Sequence, residues 1–163
     1  MSVESIVIAT DLNKTFKAEQ KGLDDMQALQ GINMQIKTGQ LTALVGPDGA
    51  GKTTFLRLIA GLYKPTAGSL EVLGMDVAKD PQSVQDRISY MPQKFGLYED
   101  LSIQENLDLY ADLHGVPMDV RKERFARLLK ITDLARFTER PAGKLTGGMK
   151  QKLGLACTLV RSP

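Results

Sequence analysis

The feature that most constrains this chain is a glycine-rich segment, 46–53, whose residues satisfy the pattern G-x-x-x-x-G-K-[ST]. The segment follows an apolar run, 41–45, from which we predict a buried parallel strand. It leads into a stretch, Lys52 to Leu62, whose apolar spacing predicts a helix. A glycine-rich turn between a strand and a helix is an arrangement that binds phosphate groups. The sequence therefore predicts a phosphate-binding loop (P-loop) at 46–53.

Each residue type in this loop has a physical reason to be there. Small residues allow backbone N–H groups to point inward around a phosphate, and the helix N-terminus adds about half a positive charge. We expect Lys52 to reach the β- and γ-phosphates of a nucleoside triphosphate, and Thr53 to place its hydroxyl on Mg²⁺. The predicted nucleotide-binding residues are Gly46, Pro47, Asp48, Gly49, Ala50, Gly51, Lys52, Thr53 and Thr54.

The rest of the chain predicts an α/β domain with a helical insertion. Pro81 begins a short predicted helix. From Ser102 onward helical spacing dominates, with a capping box formed by Ser102 and Glu105 and a last predicted helix over Met149 to Val160. Runs of alternating or β-branched apolar residues predict further strands. These strands are Ser5 to Phe16, Gly31 to Ile36, Ser69 to Leu73 and Ile88 to Met91.

The balance of charge argues against nucleic acid as a partner. The chain has 21 Lys and Arg against 19 Asp and Glu, and this net charge of +2 predicts no basic face for a phosphate backbone. Its one cysteine, Cys157, cannot form an internal disulfide. The N-terminus lacks signal-peptide features, and no apolar run approaches the roughly 18–20 residues of a transmembrane helix. We therefore expect a cytoplasmic chain that reaches a membrane only through a partner.

A second motif, 145–151, precedes the last predicted helix. Its sequence, Leu145-Thr146-Gly147-Gly148-Met149-Lys150-Gln151, resembles the LSGGQ signature of ATP-binding cassette (ABC) proteins, with Thr for Ser and Met for Gln. Taken alone, a diglycine here is also compatible with a simple helix start. The resemblance implies that Leu145, Thr146, Gly147, Gly148 and Met149 contact an ATP bound by a second nucleotide-binding domain, so that two domains enclose two ATP molecules.

Two more positions match this family in chain order. Gln93, in Tyr90-Met91-Pro92-Gln93, resembles the Q-loop glutamine, which the resemblance implies contacts Mg²⁺ and the attacking water. Phe16 resembles the A-loop aromatic that stacks on adenine, although a core position for Phe16 is the alternative. The resemblance therefore implies Lys52 and Gln93 as catalytic residues, Thr53 and Gln93 as Mg²⁺ ligands, and Phe16 as an ATP contact.

The resemblance covers nearly the whole chain and implies its architecture. We expect a P-loop NTPase of the ABC ATPase type, with an N-terminal antiparallel β-subdomain, a RecA-like core and a helical signature subdomain. Residues 1–92 are expected to form the β-subdomain and P-loop core. Residues 93–163 are expected to form the Q-loop, helical subdomain and signature helix.

The closest resemblance is to the ATPase subunits of ABC-2-type exporters, specifically to the first cassette of tandem-cassette multidrug efflux ATPases. It implies an ATPase coupled to export of drugs or other organic compounds through integral membrane permease subunits, at the inner face of the cytoplasmic membrane. Phe95, Leu97 and Tyr98 are expected either to line a groove for a permease helix or to be core residues.

Three catalytic elements of the family are expected after the signature helix: the Walker B aspartate, the catalytic glutamate and the switch histidine. None lies among these residues, which end at Pro163, so we expect a truncated cassette that binds ATP and hydrolyses it negligibly. His114 precedes the signature and is predicted to be a surface or helix-end residue. The alternatives are a soluble ribosome- or nucleic-acid-associated ABC ATPase and a P-loop kinase, which leaves 145–151 unexplained.

Overall fold

The first part of the chain forms a four-stranded antiparallel sheet. Its strands lie side by side in the order Met26–Lys37 (β2), Ser5–Phe16 (β1), Ala67–Val72 (β3) and Met75–Asp76 (β4). The computed structural model describes residues 5–18, 22, 24–94 and 96–161. The chain divides into two compact units, residues 1–88 and 89–163. The elements of the first unit are β1 (Ser5–Phe16), β2 (Met26–Lys37), α1 (Lys52–Ile59), β3 (Ala67–Val72), β4 (Met75–Asp76) and α2 (Pro81–Gln85).

A bulge in β1 keeps its apolar residues on one face. Val7 and Ala9 are buried, as strand alternation requires, but the next buried residue is Leu12 rather than an odd-numbered neighbour. The pairing register shifts between Ala9 and Leu12, and Asp11 takes a φ of 47° at this point. The Asp11 N–H donates to Asn33 Oδ1 at 2.9 Å, so the irregular backbone keeps a partner. The bulge therefore returns Leu12 to the core face.

Helix α1 packs its buried residues, Phe55 and Leu58, into the same apolar cluster as Leu12 and Leu70 of the sheet. The helix ends at Ile59 rather than at the predicted Leu62. The cause is Gly61, which takes a φ of 67° and donates its N–H to the Leu58 carbonyl. A left-handed glycine of this kind stops a helix because it closes the last carbonyls with a turn.

Two predicted strands are wrong. Residues 41–45 and 88–91 have no regular secondary structure, and both Leu41 and Val45 are almost fully exposed. A strand needs a neighbour for its backbone N–H and C=O groups, and within the described ranges no strand pairs with either segment. The predicted strands at 5–16, 31–36 and 69–73 are confirmed, with β2 beginning earlier at Met26.

The second unit is helical and has its own apolar core. Ser102 caps its first helix through the predicted capping box: Ser102 Oγ accepts from the Glu105 N–H at 3.2 Å, and Glu105 Oε2 accepts from the Ser102 N–H at 2.7 Å. His114 ends this helix and is exposed, as expected. The helices are α3 (Ile103–Leu113), α4 (Met118–Thr132) and α5 (Gly147–Leu159), with 3₁₀ turns at Ala135–Phe137 and Ala142–Lys144. In the described ranges, no helix is both long and apolar enough to cross a bilayer.

A single buried amide fixes the turn before α3. Asn106 is fully buried, and its Oδ1 accepts from the Tyr98 N–H at 3.0 Å. Its Nδ2 donates to the carbonyls of Tyr98, Leu101 and Ser102 at 3.0, 3.2 and 2.9 Å. The three carbonyls also accept backbone N–H groups, and Asn106 adds a second donor to each while it accepts the Tyr98 N–H. Asn106 therefore ties residues 98–102 to the helix.

We expect Asn106→Ala to lower the free energy of unfolding by about 2–3 kcal/mol, because it removes the four hydrogen bonds of a buried side chain and leaves the Tyr98 N–H without its acceptor. Urea denaturation followed by circular dichroism measures the loss. Gln104→Ala is the matched control on the same helix: its amide donates to the Asp108 carboxylate at 3.1 Å, and its removal should cost about 0.5 kcal/mol or less. Equal losses in both variants would contradict the role given to Asn106.

The buried thiol of Cys157 makes the free energy of unfolding depend on pH. It is fully enclosed, and burial raises its pKa to about 12. In the unfolded chain the thiol ionises at about 8.5, so above that pH the unfolded state releases a proton that the folded state retains. We therefore expect stability to be lost as the pH rises from about 9, by up to about 1.4 kcal/mol per pH unit from this group. Urea titrations across this range should show a shallower slope for Cys157→Ala, and identical slopes would refute the assignment.

Candidate functional site

The glycine-rich loop lies against strand β2, and Gly51 marks the closest approach. Gly51 takes a φ of 81°, and a Cβ added there would lie 2.5 Å from the Ala28 carbonyl oxygen and 2.7 Å from Leu29 Cδ2. Gly49 also has a positive φ, 80°, with open space around its Cα. Gly51 is therefore required by both conformation and space, whereas Gly49 is required by conformation alone.

Lys52 turns back along this loop. Its Nζ donates to the carbonyls of Gly46 and Pro47 at 2.8 and 2.6 Å. The Ala50 N–H donates to the Pro47 carbonyl at 3.3 Å, which closes the turn. The ammonium group thus lies at the loop itself, where it supplies a positive charge next to the start of α1.

The N-terminus of α1 lacks a side-chain cap among the residues that the structure describes. Its N-cap position is Gly51, which has no side chain to accept an N–H, and its first turn holds no acidic residue. Helices α2, α3 and α5 differ, because Asp80, Ser102 and Thr146 each accept an N–H from their own first turn. Helix α4 also lacks a capping side chain, but it carries the acidic Asp119 in its first turn. The first N–H groups of α1 and the ammonium of Lys52 therefore form a site suited to an anion, and the glycine backbone leaves room for a phosphate chain.

Phe16 lies at the end of β1, half-buried, with its ring against Tyr63. The ring centroids are 5.3 Å apart and the planes meet at 76°, an edge-to-face arrangement. The Lys14 Nζ lies 5.0 Å from the Phe16 centroid and 5.5 Å from that of Tyr63. The ring is not enclosed in the core, and its contact with adenine stays a prediction.

In the second unit, Gln93 is an exposed residue in a segment without regular structure. It lines a cavity of about 180 Å³ that is also reached by residues next to the signature. The structure thus brings the predicted Q-loop glutamine and the first turns of α5 to one cavity. The other lining residues are Met91, Leu97, Glu99, Lys150 and Gln151.

The signature segment is a capped helix start with unexplained glycines. Thr146 Oγ1 accepts from the Met149 N–H at 3.3 Å, so α5 begins at Gly147 instead of the predicted Met149. Leu145 is buried in the apolar core. A Cβ on Gly147 or Gly148 would meet nothing within 4 Å, so packing in the part of the chain that the structure describes does not require either glycine. Glycine in a helix costs up to about 1 kcal/mol relative to alanine, which favours a functional reason for the pair.

Two charged residues of this cavity, Glu99 and Lys150, were not predicted as site residues from the sequence. Glu99 Oε1 and Lys150 Nζ form an ion pair at 2.6 Å. The two residues are 51 positions apart in the sequence. No local pattern signals such a contact, because opposite charges at the surface of a chain are common and their pairing depends on the fold. The contact of Tyr63 with Phe16 was not predicted either, because it also depends on the fold and has no local pattern.

Comparison with known proteins identifies the family. The family model described as ABC transporter matches residues 29–163. This chain belongs to the ABC transporter family. The solved dimeric structure of a post-hydrolysis state of the ATP-binding cassette MJ0796, bound to ADP and Pi, aligns with a TM-score of 0.81 and 28% identity, covering 96% of this chain and 70% of that chain. These matches confirm the predicted ABC ATPase fold.

Two curated relatives of this ABC chain are ATP-binding proteins by name. It is 52% identical, over 98% of its length, to the "probable multidrug ABC transporter ATP-binding protein YbhF" of Escherichia coli strain K12. It is 34% identical, over 91% of its length, to the daunorubicin resistance ATP-binding protein DrrA3 of Streptomyces coeruleorubidus. The chain spans 27% and 47% of the lengths of these relatives. Their names refer to multidrug transport and to daunorubicin resistance, and neither name refers to ribosomes or nucleic acid.

We expect Gly51→Ala to remove ATP binding, because its Cβ would collide with strand β2 and displace the loop. Gly74→Ala is the matched control: Gly74 has a φ of 73° with nothing near its Cα, so it suffers the backbone strain of about 1–2 kcal/mol without the collision. Fluorescence titration with a labelled ATP analogue compares the two. Intact ATP affinity in a folded Gly51→Ala variant would contradict the placement of this loop against β2.

Proposed function

We propose that this chain is the ATP-binding cassette of an ABC-2-type exporter, corresponding to the N-terminal cassette of a tandem-cassette protein. The observation that carries the proposal is the uncapped N-terminus of α1, preceded by the glycine loop and bearing Lys52. The relatives named for multidrug transport and daunorubicin resistance support export of drugs or other organic compounds.

The P-loop residues bind the triphosphate of ATP in this proposal. Residues Gly46–Thr54 surround the phosphates with the backbone N–H groups that all of them except Pro47 carry, because the loop glycines present no side chain to the phosphates. Lys52 exchanges its bonds to the Gly46 and Pro47 carbonyls for bonds to the β- and γ-phosphates. Phe16 stacks on the adenine, held edge-to-face by Tyr63.

Magnesium belongs with the nucleotide. In the part of the chain that the structure describes, no group of three or more His, Cys, Asp or Glu side chains forms a metal cluster. A hydroxyl, an amide oxygen and nucleotide phosphates are oxygen ligands of the kind that Mg²⁺ takes, and Thr53 and Gln93 are the residues that would hold it. When bound, Mg²⁺ offsets negative charge on the phosphates. Lys52 and Gln93 are the catalytic residues proposed here, and Gln93 directs the attacking water molecule.

The signature residues Leu145–Met149 act on a second cassette. The glycine pair leaves the backbone at the start of α5 open, and the Thr146 hydroxyl lies at the same helix end. Such a helix start suits the γ-phosphate of an ATP held by the other domain. The dimeric cassette bound to ADP and Pi, to which this chain is similar, supports a two-domain assembly.

Integral membrane permease subunits are the proposed partners, with the cassette at the inner face of the cytoplasmic membrane. Residues 1–92 carry the P-loop part of the site, and residues 93–163 carry the Q-loop glutamine and the signature. Of the residues predicted to line a permease groove, Leu97 is partly buried against the helical core and Tyr98 is exposed. Phe95 lies outside the described residues. Tyr98 is therefore the residue of this set best suited to a permease helix.

Isothermal titration with Mg·ATP tests the proposal. We expect the folded chain to bind, and Lys52→Ala to lose about 10- to 150-fold in affinity, the range for removing charge-assisted bonds of about 1.5–3 kcal/mol. Lys37→Ala, an exposed lysine at the end of β2, is the matched control and should bind like the unsubstituted chain. Circular dichroism confirms folding of each sample. A folded chain that binds no Mg·ATP, or a Lys52→Ala variant with full affinity, would refute the proposed site.

A further inference from the structure

The ion pair between Glu99 and Lys150 links two segments of the second unit that the proposed function uses separately. Glu99 follows Gln93 by six positions, and Lys150 follows the last signature residue, Met149. Their side chains meet at 2.6 Å beside the cavity that Gln93 also lines. Lys150 lies in the first turn of α5, where its backbone N–H donates to the Thr146 carbonyl at 2.9 Å. Movement of Lys150 therefore moves the turn that Thr146 caps.

Glu99 also holds the chain on the other side of the signature. Its carbonyl accepts from the Gly143 N–H at 2.8 Å. A Cβ on Gly143 would lie 3.1 Å from that carbonyl oxygen, so the two backbones are in close contact. Glu99 thus contacts the residues before the signature through its backbone and the residues after it through its carboxylate.

The segment that carries Glu99 is itself firmly held. The fully buried Asn106 bonds to Tyr98 and to Leu101 on either side of it. The Leu101 carbonyl accepts from the Ala142 N–H at 2.8 Å. Since Glu99 sits on a fixed turn, its carboxylate provides a fixed point from which Lys150, and with it the start of α5, is oriented.

We propose that Glu99, through its ion pair with Lys150, is a positioning residue that sets the orientation of the signature turn Leu145–Met149. The inference rests on the proposed function, in which this turn contacts an ATP bound by a second cassette. Glu99 and Lys150 act on that contact indirectly. ATP binding at the P-loop of the same chain does not depend on them.

The exposure of the pair limits the size of the effect. The side chains are 65% exposed for Glu99 and 33% exposed for Lys150, so solvent screens their attraction. A pair of this kind changes an equilibrium by about 1.5- to 5-fold. A symmetric dimer contains two signature contacts, so the effects multiply to about 2- to 25-fold in the dimer dissociation constant.

The test compares two dissociation constants for the full chain. Sedimentation velocity in Mg·ATP gives the constant for the ATP-dependent dimer, and fluorescence titration of dilute protein gives the constant for ATP at the P-loop. The variants are Glu99→Gln, Lys150→Met and the exchanged pair Glu99→Lys with Lys150→Glu. Asp100→Asn and Lys152→Met are matched controls, because each removes the same charge from a neighbouring exposed position of the same segment.

We expect Glu99→Gln and Lys150→Met each to weaken the dimer by about 2- to 25-fold and to leave ATP affinity within about twofold. The exchanged pair should restore most of the lost dimer affinity, which a general loss of stability cannot do. The difference between the unsubstituted chain and Glu99→Gln should shrink at high salt. The controls should match the unsubstituted chain.

Equal dimer constants in all variants, or no recovery in the exchanged pair, would overturn the positioning role while leaving the proposed function intact. A chain that binds Mg·ATP yet forms no ATP-dependent dimer would overturn both this role and the proposed trans contact of the signature. A chain that binds no ATP would refute the P-loop proposal instead, and the titration reports that result separately.

Discussion

The position of α1 in the first unit depends on the close contact between the P-loop backbone at Gly51 and strand β2. A side chain has no room at this position, since a Cβ would lie 2.5 Å from the Ala28 carbonyl oxygen. This contact fixes where α1 begins relative to the sheet, and Phe55 and Leu58 then pack into the core with Leu12 and Leu70. The position of the helix N-terminus is thus set by a glycine and by core burial together.

The start of α1, which follows the glycine loop, differs from the other α-helix starts of the described residues in having neither a capping side chain nor an acidic residue in its first turn. Asp80, Ser102 and Thr146 satisfy N–H groups of their own helices, as isolated helix ends require. Helix α1 begins on a glycine without such a side chain. Lys52 instead bonds to two loop carbonyls, so the cation stays at the loop. Negative charge is therefore favoured at this end of α1 more than at the capped helices.

The second unit is organised around the turn that precedes α3. From inside the core, Asn106 makes four hydrogen bonds to backbone groups of this turn. The carbonyls of Glu99 and Leu101 in the same turn accept N–H groups from the segment that leads to the signature. A buried polar side chain of this kind holds one geometry, because displacement would leave its own buried amide and the Tyr98 N–H without partners. Glu99 extends that order to the first turn of α5 through its contact with Lys150.

Much of this arrangement was predictable from sequence where the signal is local. The Ser102–Glu105 capping box, the proline start of α2 and the glycine loop before α1 all depend on residues within a few positions of each other. The predictions of strands at 41–45 and 88–91 were wrong, because an apolar run favours a buried, extended segment but does not supply a neighbouring strand to pair with its backbone. The β1 bulge at Asp11 escaped prediction because it depends on pairing with β2.

The sequence by itself determined the family and the candidate residues, because the P-loop and the signature are short motifs whose residue types are dictated by phosphate chemistry and helix starts. Only the tertiary structure decided that Gly51 lies against Ala28, that Phe16 meets Tyr63, and that Glu99 pairs with Lys150. These contacts join residues far apart in the chain. Their geometry follows from how the sheet and helices pack, and packing is a property of all the residues of a unit at once.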